Sequence, residues 1–246
     1  PHLNLAIEAK DDHMWRGLIK PAKRDVKAWF TSYTAFLMPY VDLAIAEQVE
    51  IFCVGVELKK MVRYTREWKI LISNVRDRGY KGKLTYAALH DNFYVVRFWD
   101  ALDYIGIDAY FEATRDKNAG LREIIAGYEG WAKRLEKFAG DQKRSIIFTE
   151  VGFNNQDGAN VRPWYWSGNR AELDNIEQAA CYHAVLDVFP RHDWLAGMFW
   201  WSWSANRPPF PDEPHYSPQS KLAELVLRAY WRPRPTGSEI DEKHEE

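Results

Sequence analysis

Ser145-Ile-Ile-Phe-Thr-Glu-Val-Gly-Phe153 is a short apolar run that ends on a lone carboxylate, Glu150, followed by glycine. In a parallel α/β protein a strand buried on both faces reads as continuous Ile, Val and Phe, and its carboxyl end opens where ligands bind. Side chains alternate along a strand, so Ile146, Phe148 and Glu150 share a face. Ile51-Phe-Cys-Val-Gly-Val-Glu-Leu58 follows the same grammar, with Ile51, Cys53, Gly55 and Glu57 on one face and Glu57 at the end. Either glutamate alone reads better as a strand-end acid paired with an arginine. Two such acids amid aromatic residues suggest glycoside hydrolysis.

The rest of the chain repeats the unit. Strands are predicted at His2–Ala9, Ile51–Leu58, Lys83–Leu89, Tyr104–Phe111, Ser145–Phe153 and Trp194–Trp203. Between them, apolar residues at three- and four-residue spacing predict helices over Val26–Gln48 (capped by Asp25, with Pro39 a candidate kink), Met61–Arg78, Gly120–Phe138 and Asp174–Phe189. A brief helix is expected at Val95–Leu102, and Ser220–Tyr230 closes the pattern. The long loop from Asn154 to Leu173 carries Arg162-Pro-Trp-Tyr-Trp166, and its length marks it as functional.

Strands alternating with helices imply a parallel sheet with right-handed crossovers. A nucleotide-binding sheet calls for a glycine-rich first turn, and neither GxGxxG nor GxxxxGK[ST] occurs. The expectation is therefore an α/β fold of the TIM (β/α)8 type, with six of eight strands visible and chemistry at strand ends. One domain is expected over residues 1–232, followed by a disordered tail at 233–246, where Pro, Gly and acidic residues dominate.

Composition narrows the chemistry. The formal net charge of the 246 residues is −2, which supplies no footprint for nucleic acid or an anionic membrane and suits a neutral substrate. Aromatic residues stand out, with 12 Trp, 13 Tyr and 12 Phe, and sugar rings stack on such faces. Cys53 and Cys181 offer no CxxC and read as buried thiols. Asp11-Asp12-His13 is the one acidic and histidine cluster; it lacks ligand spacing, so neither a metal nor a cofactor is expected. No apolar run nears the roughly 18 residues of a membrane span, and the first residues lack a signal-peptide plan.

Retaining glycosidases set a carboxylate nucleophile about 5–5.5 Å from a carboxylic acid, so that one attacks the anomeric carbon while the other protonates the leaving oxygen. Tyr110, at the end of its strand, is a candidate donor to Glu150 and equally a core tyrosine. Phe52-Cys-Val-Gly-Val-Glu-Leu58, Leu84-Thr-Tyr-Ala-Ala88, Trp99–Phe111, Phe148-Thr-Glu-Val-Gly-Phe153 and Gly197-Met-Phe-Trp-Trp-Ser-Trp203 resemble glycoside hydrolase family 113, retaining β-1,4-mannanases of clan A. The resemblance covers nearly the whole chain. It implies Glu57 as acid/base after the fourth barrel strand and Glu150 as nucleophile after the seventh. It implies further that Tyr110 holds the nucleophile and that Trp201, with Trp203, lines the cleaved-sugar subsite. Trp15, Trp164 and Trp166 are candidates for flanking subsites.

The chain departs from the clan pattern at Val56, where an Asn often precedes the acid/base, and at Leu89, where a polar residue is expected. Reaction class thus transfers better than substrate. The expected substrate is β-mannan or a manno-oligosaccharide; the alternatives are a barrel that binds oligosaccharide without cleaving it and a clan A glycosidase acting on another β-glycan. The clan's strand order makes His2–Ala9 the third barrel strand, so the chain is expected to be N-terminally shortened by two βα units, roughly 50–80 residues.

Overall fold

A computed structural model describes residues 15–166, 168, 172–205 and 210–232. The strand predicted at His2–Ala9 and the tail predicted from 233 lie outside them. The described chain runs α1 (Val26–Ala46), β1 (Ile51–Val56), α2 (Thr65–Asp77), β2 (Lys83–Leu89), β3 (Ile105–Asp108), α3 (Leu121–Gln142), β4 (Ile146–Val151), α4 (Asn175–Val188), β5 (Leu195–Trp200) and α5 (Leu222–Trp231). The strands form a five-stranded sheet in the order β1-β2-β3-β4-β5, and every neighbouring pair is parallel. This is the α/β architecture of a (β/α) barrel, five of whose strands are described. Among the described residues no helix is long and apolar enough to cross a membrane.

Burial follows position in the sheet. β3 and β4 are buried throughout, and β2 from its second residue on. The outer strands β1 and β5 have residues that are only partly covered. Phe199 and Trp201 are exposed, and with Ile51, Cys53, Thr85, Ile147 and Glu150 they line a cavity of about 370 Å³. Cys181 is buried as expected, whereas Cys53 is only partly so, because it faces this cavity from an outer strand.

The helices obey their apolar spacing. In α1 the buried residues Val26, Phe30, Tyr33, Leu37, Val41 and Ala44 recur every three or four positions, while the apolar Phe36 and Ile45 are exposed. Pro39 sits within α1 on an exposed position, and the carbonyl its missing N–H leaves unbonded, that of exposed Ala35, can turn to water. Asp25 stands at the start of α1 without a capping hydrogen bond, because a 3₁₀ turn at Lys23–Asp25 runs straight into the helix. Asp174 does cap α4, accepting from the backbone N–H of Ile176 and Glu177. The brief helix expected at Val95–Leu102 is instead two 3₁₀ turns, Phe93–Val95 and Trp99–Ala101.

Four predicted strands, at Ile51–Leu58, Tyr104–Phe111, Ser145–Phe153 and Trp194–Trp203, are longer than the observed ladders, and two of the shortened ends bear on the site. Pairing in β3 stops at Asp108, and β5 stops at Trp200, after which the chain turns away from its neighbour. Gly152, two residues beyond Glu150, permits that turn: a Cβ there would lie 1.8 Å from the Trp201 carbonyl oxygen.

Candidate active site

The carboxyl ends of the strands open into a cleft of about 600 Å³ whose lining includes Glu57, Glu150, Tyr110 and Trp201. Glu57 follows β1 in a left-handed conformation, φ 51°, which a glutamate adopts at a cost of roughly 1–3 kcal/mol. The surrounding hydrogen bonds hold it there. Its N–H donates to the Ala87 carbonyl at 2.9 Å, and the next N–H, of Leu58, donates to the buried Tyr86 hydroxyl at 2.9 Å. The outcome is a carboxylate turned from the strand into the cleft, where Arg16 contacts Oε2 at 2.6 Å and Trp15 Nε1 donates to the same atom at 3.2 Å.

Glu150 is the penultimate residue of β4 and is 5% exposed. The Tyr110 hydroxyl donates to its Oε2 at 2.7 Å. Burial pushes the Glu150 pKa up, and the Tyr110 hydrogen bond and the Arg16 charge pull it back. Arg16 therefore acts on both glutamates. Between their strands lies Asp108 at the end of β3, completely buried, its pKa pushed well up first by burial and then by the charges of Glu150 and Glu57.

Aromatic rings wall the cleft. Trp164 stacks on His90 with centroids 4.7 Å apart, and Trp166 stacks on Tyr216 at 6.1 Å. Burial pushes His90 down to about 4, so its ring is neutral near pH 7. The loop bearing Trp164 and Trp166 is pinned from beneath. Buried Glu177 of α4 accepts from the Gly158 and Asn160 N–H groups at 2.7 and 2.8 Å, and Tyr216 donates to the Pro163 carbonyl at 2.6 Å. Lys59 and Asp91, paired at 2.5 Å, complete the polar rim.

The structure thus brings Glu57, Glu150, Tyr110, Trp15, Trp164, Trp166 and Trp201 to one cleft. Trp203 is left out of the lining and is 57% exposed, because the alternation that would have aligned it with Trp201 ends with β5. Arg16, Lys59, His90, Asp91 and Tyr216 join the lining without having been singled out from the sequence. For Arg16 the local signal was its neighbour Trp15; Gly17 beside them leaves room for the Trp15 ring, which a Cβ would meet at 2.2 Å. A group of Asp157, Asp174 and Glu177 has metal-like proximity, but each carboxylate is already committed, to Lys117, to the start of α4 and to the loop N–H groups.

Comparison with known proteins converges on one family. The model of Glycoside Hydrolase Family 113 matches residues 3–216. The GH113 β-mannanase AaManA from Alicyclobacillus acidocaldarius, solved in complex with ManMIm, superposes with a TM-score of 0.76 at 28% identity, over 89% of this chain and 69% of that one. A GH113 β-1,4-mannanase complex matches at 26% identity and a TM-score of 0.75, over 90% and 70% of the two chains. The Ruminococcus gnavus β-glucuronidase, at 14% identity, a TM-score of 0.58 and coverage of 84% and 36%, shares the fold alone. No curated protein matches by sequence.

Proposed function

The chain belongs to glycoside hydrolase family 113, and on that premise we propose that it is an endo-acting β-1,4-mannanase working by double displacement, with Glu150 as nucleophile and Glu57 as acid/base. The observation that carries this reading is that both glutamates line one aromatic-walled cleft while their hydrogen-bonding surroundings differ. A nucleophile has to be ionised, and the Tyr110 donor and the Arg16 charge favour the ionised form of Glu150 against its burial. In the first half-reaction Glu150 attacks the anomeric carbon and Glu57 gives its proton to the leaving oxygen. In the second, Glu57 takes a proton from water, which displaces the sugar from Glu150.

Arg16 on Glu57 Oε2 favours the carboxylate that this second step uses. For the first step the entering sugar has to draw Arg16 from that oxygen so that Glu57 can carry a proton. The substrate's neutral rings match a cleft whose walls are Trp15, Trp164, Trp166 and Trp201 and whose charges are largely paired with one another. The preference for mannan is supported by the two mannanase structures the chain resembles.

Release of reducing ends from purified β-1,4-mannan, glucan and xylan tests the reading. Mannan should be cleaved, and Glu150→Gln should abolish cleavage. A variant with full activity would remove Glu150 from its role; preference for glucan or xylan would change the substrate; and binding of mannohexaose without product would leave a sugar-binding barrel, the reading that Val56 in place of Asn favours.

A further inference from the structure

Asp108 is a buried acid for which the double-displacement scheme has no use. It is 0% exposed; its Oδ1 accepts from the Thr149 hydroxyl at 2.7 Å, and its Oδ2 is buried with no hydrogen-bond partner among the described residues. It lies opposite Glu150 in the β3–β4 register. The ionisable groups that act on it or on which it acts come from every neighbouring element: Glu57 and Cys53 from β1 and its end, Tyr86 from β2, Tyr110 beyond its own strand, Glu150 from β4, and Arg16 from the segment before α1. Arg16 is the cation that these described groups bring to Asp108.

An ionised Asp108 would add a third carboxylate to those of Glu57 and Glu150, with one buried oxygen that no donor among the described residues reaches. Burying an unpaired charge costs far more than burying a neutral acid. We propose that Asp108 is a positioning residue for this reaction, standing as a neutral, proton-bearing acid between Glu57 and Glu150 so that Arg16 and Tyr110 act on the two glutamates without a third negative charge. Thr149 fixes which oxygen accepts, leaving Oδ2 to carry the proton. By reciprocity, a charge on Asp108 would raise the Glu150 pKa as the Glu150 charge raises that of Asp108, and would cost the enzyme its ionised nucleophile at moderate pH. The inference rests on the assignment of Glu57 and Glu150 proposed above.

Two measurements test it. Infrared spectroscopy of the full chain at pH 7 should show the carbonyl stretch of a protonated carboxylic acid that disappears in Asp108→Asn. Kinetics on mannan should show kcat lowered at least tenfold in Asp108→Leu with KM within about threefold, because Leu, though as uncharged as the neutral acid, cannot accept from the Thr149 hydroxyl beside Glu150. Asn, the isostere of the neutral acid, should restore kcat to within about threefold and leave the acidic limb of the pH profile in place. The proposal is overturned by absence of the band, or by a band whose intensity is unchanged in Asp108→Asn. It is equally overturned if the acidic limb moves down in Asp108→Asn, since removing a real negative charge would lower the Glu150 pKa. Should Asp108→Leu fail to fold, the band and the limb still decide. A chain that shows the band but hydrolyses no β-glycan would sink the roles of the glutamates and leave the neutral acid standing.

Discussion

The Tyr110 hydroxyl donates to Glu150 Oε2 at 2.7 Å, joining the end of β3 to the end of β4 across 40 positions of sequence. The two strands are locked immediately below, where the Ala109 N–H donates to the Glu150 carbonyl at 2.6 Å. Side-chain and main-chain bonds thus converge on one residue. Hydrogen bonds to charged groups contribute roughly 1.5–3 kcal/mol, so Tyr110→Phe should lower kcat by about one to two orders of magnitude. The acidic limb of the profile should rise in the same variant, because the bond favours ionised Glu150. An unchanged limb would show that Tyr110 does not act on the charge of Glu150.

The wild-type profile should be bell-shaped, since the rate needs Glu150 ionised and Glu57 protonated at once. Glu150 has its pKa raised, chiefly by burial, so activity should fall on acidification at a higher pH than an ordinary carboxylate would give. Glu57→Gln, assayed with an activated leaving group that needs no proton, should lose the alkaline limb and keep the acidic one. Exchanged limbs would reverse the two roles.

Arg16 is a sharper probe, because its one charge bears on both glutamates. Arg16→Met removes a cation that favours the ionised forms, so both limbs should move to higher pH. Movement of one limb only would assign the guanidinium to that carboxylate alone. A downward shift of either would contradict the electrostatics of the site.

The strained backbone at Glu57 depends on Tyr86, whose fully buried hydroxyl accepts the Leu58 N–H at 2.9 Å. Tyr86→Phe leaves that N–H buried and unbonded, a loss of about 1–3 kcal/mol. Chemical denaturation should report the drop, and kcat should fall with it as Glu57 loses its fixed direction. Stability equal to wild type would mean that another group holds the turn.

Gly152→Ala should damage the site with no change in any polar group. The new Cβ would meet the Trp201 carbonyl oxygen at 1.8 Å, so the end of β5 must shift and carry Trp201 away from the cleft. A raised KM for manno-oligosaccharides is expected. KM unchanged from wild type would show that Trp201 contributes no sugar contact.

Much of this molecule is written locally. Continuous Ile, Val and Phe runs mark β4 and β1, three- and four-residue spacing marks the helices, and a glutamate at a strand's end marks where chemistry can sit; each is a property of a few adjacent residues, visible without knowing what they touch. Lys83–Leu89 shows how far that goes, since its predicted and observed limits coincide. Strand ends are different. Whether Tyr104–Phe111 pairs along its length depends on the neighbouring strand, and the register irregularity that sets Asp108 opposite Glu150 ends β3 early.

What only the tertiary structure decides is which distant groups meet. Trp15 reaches Glu57 across 42 positions, Thr149 reaches Asp108 across 41, and Trp164 lies on His90 because Glu177 and Tyr216 hold its loop in place. Nothing in the composition of Trp15-Arg16-Gly17 says that its guanidinium serves two carboxylates, or that the acid of Ile105-Gly-Ile-Asp108 is shut away from water between them. Periodicity carries the faces of helices and strands because it arises from bonds between near neighbours. Charge pairing and burial arise from the register of strands and the packing of helices upon them, which no stretch of the chain determines alone.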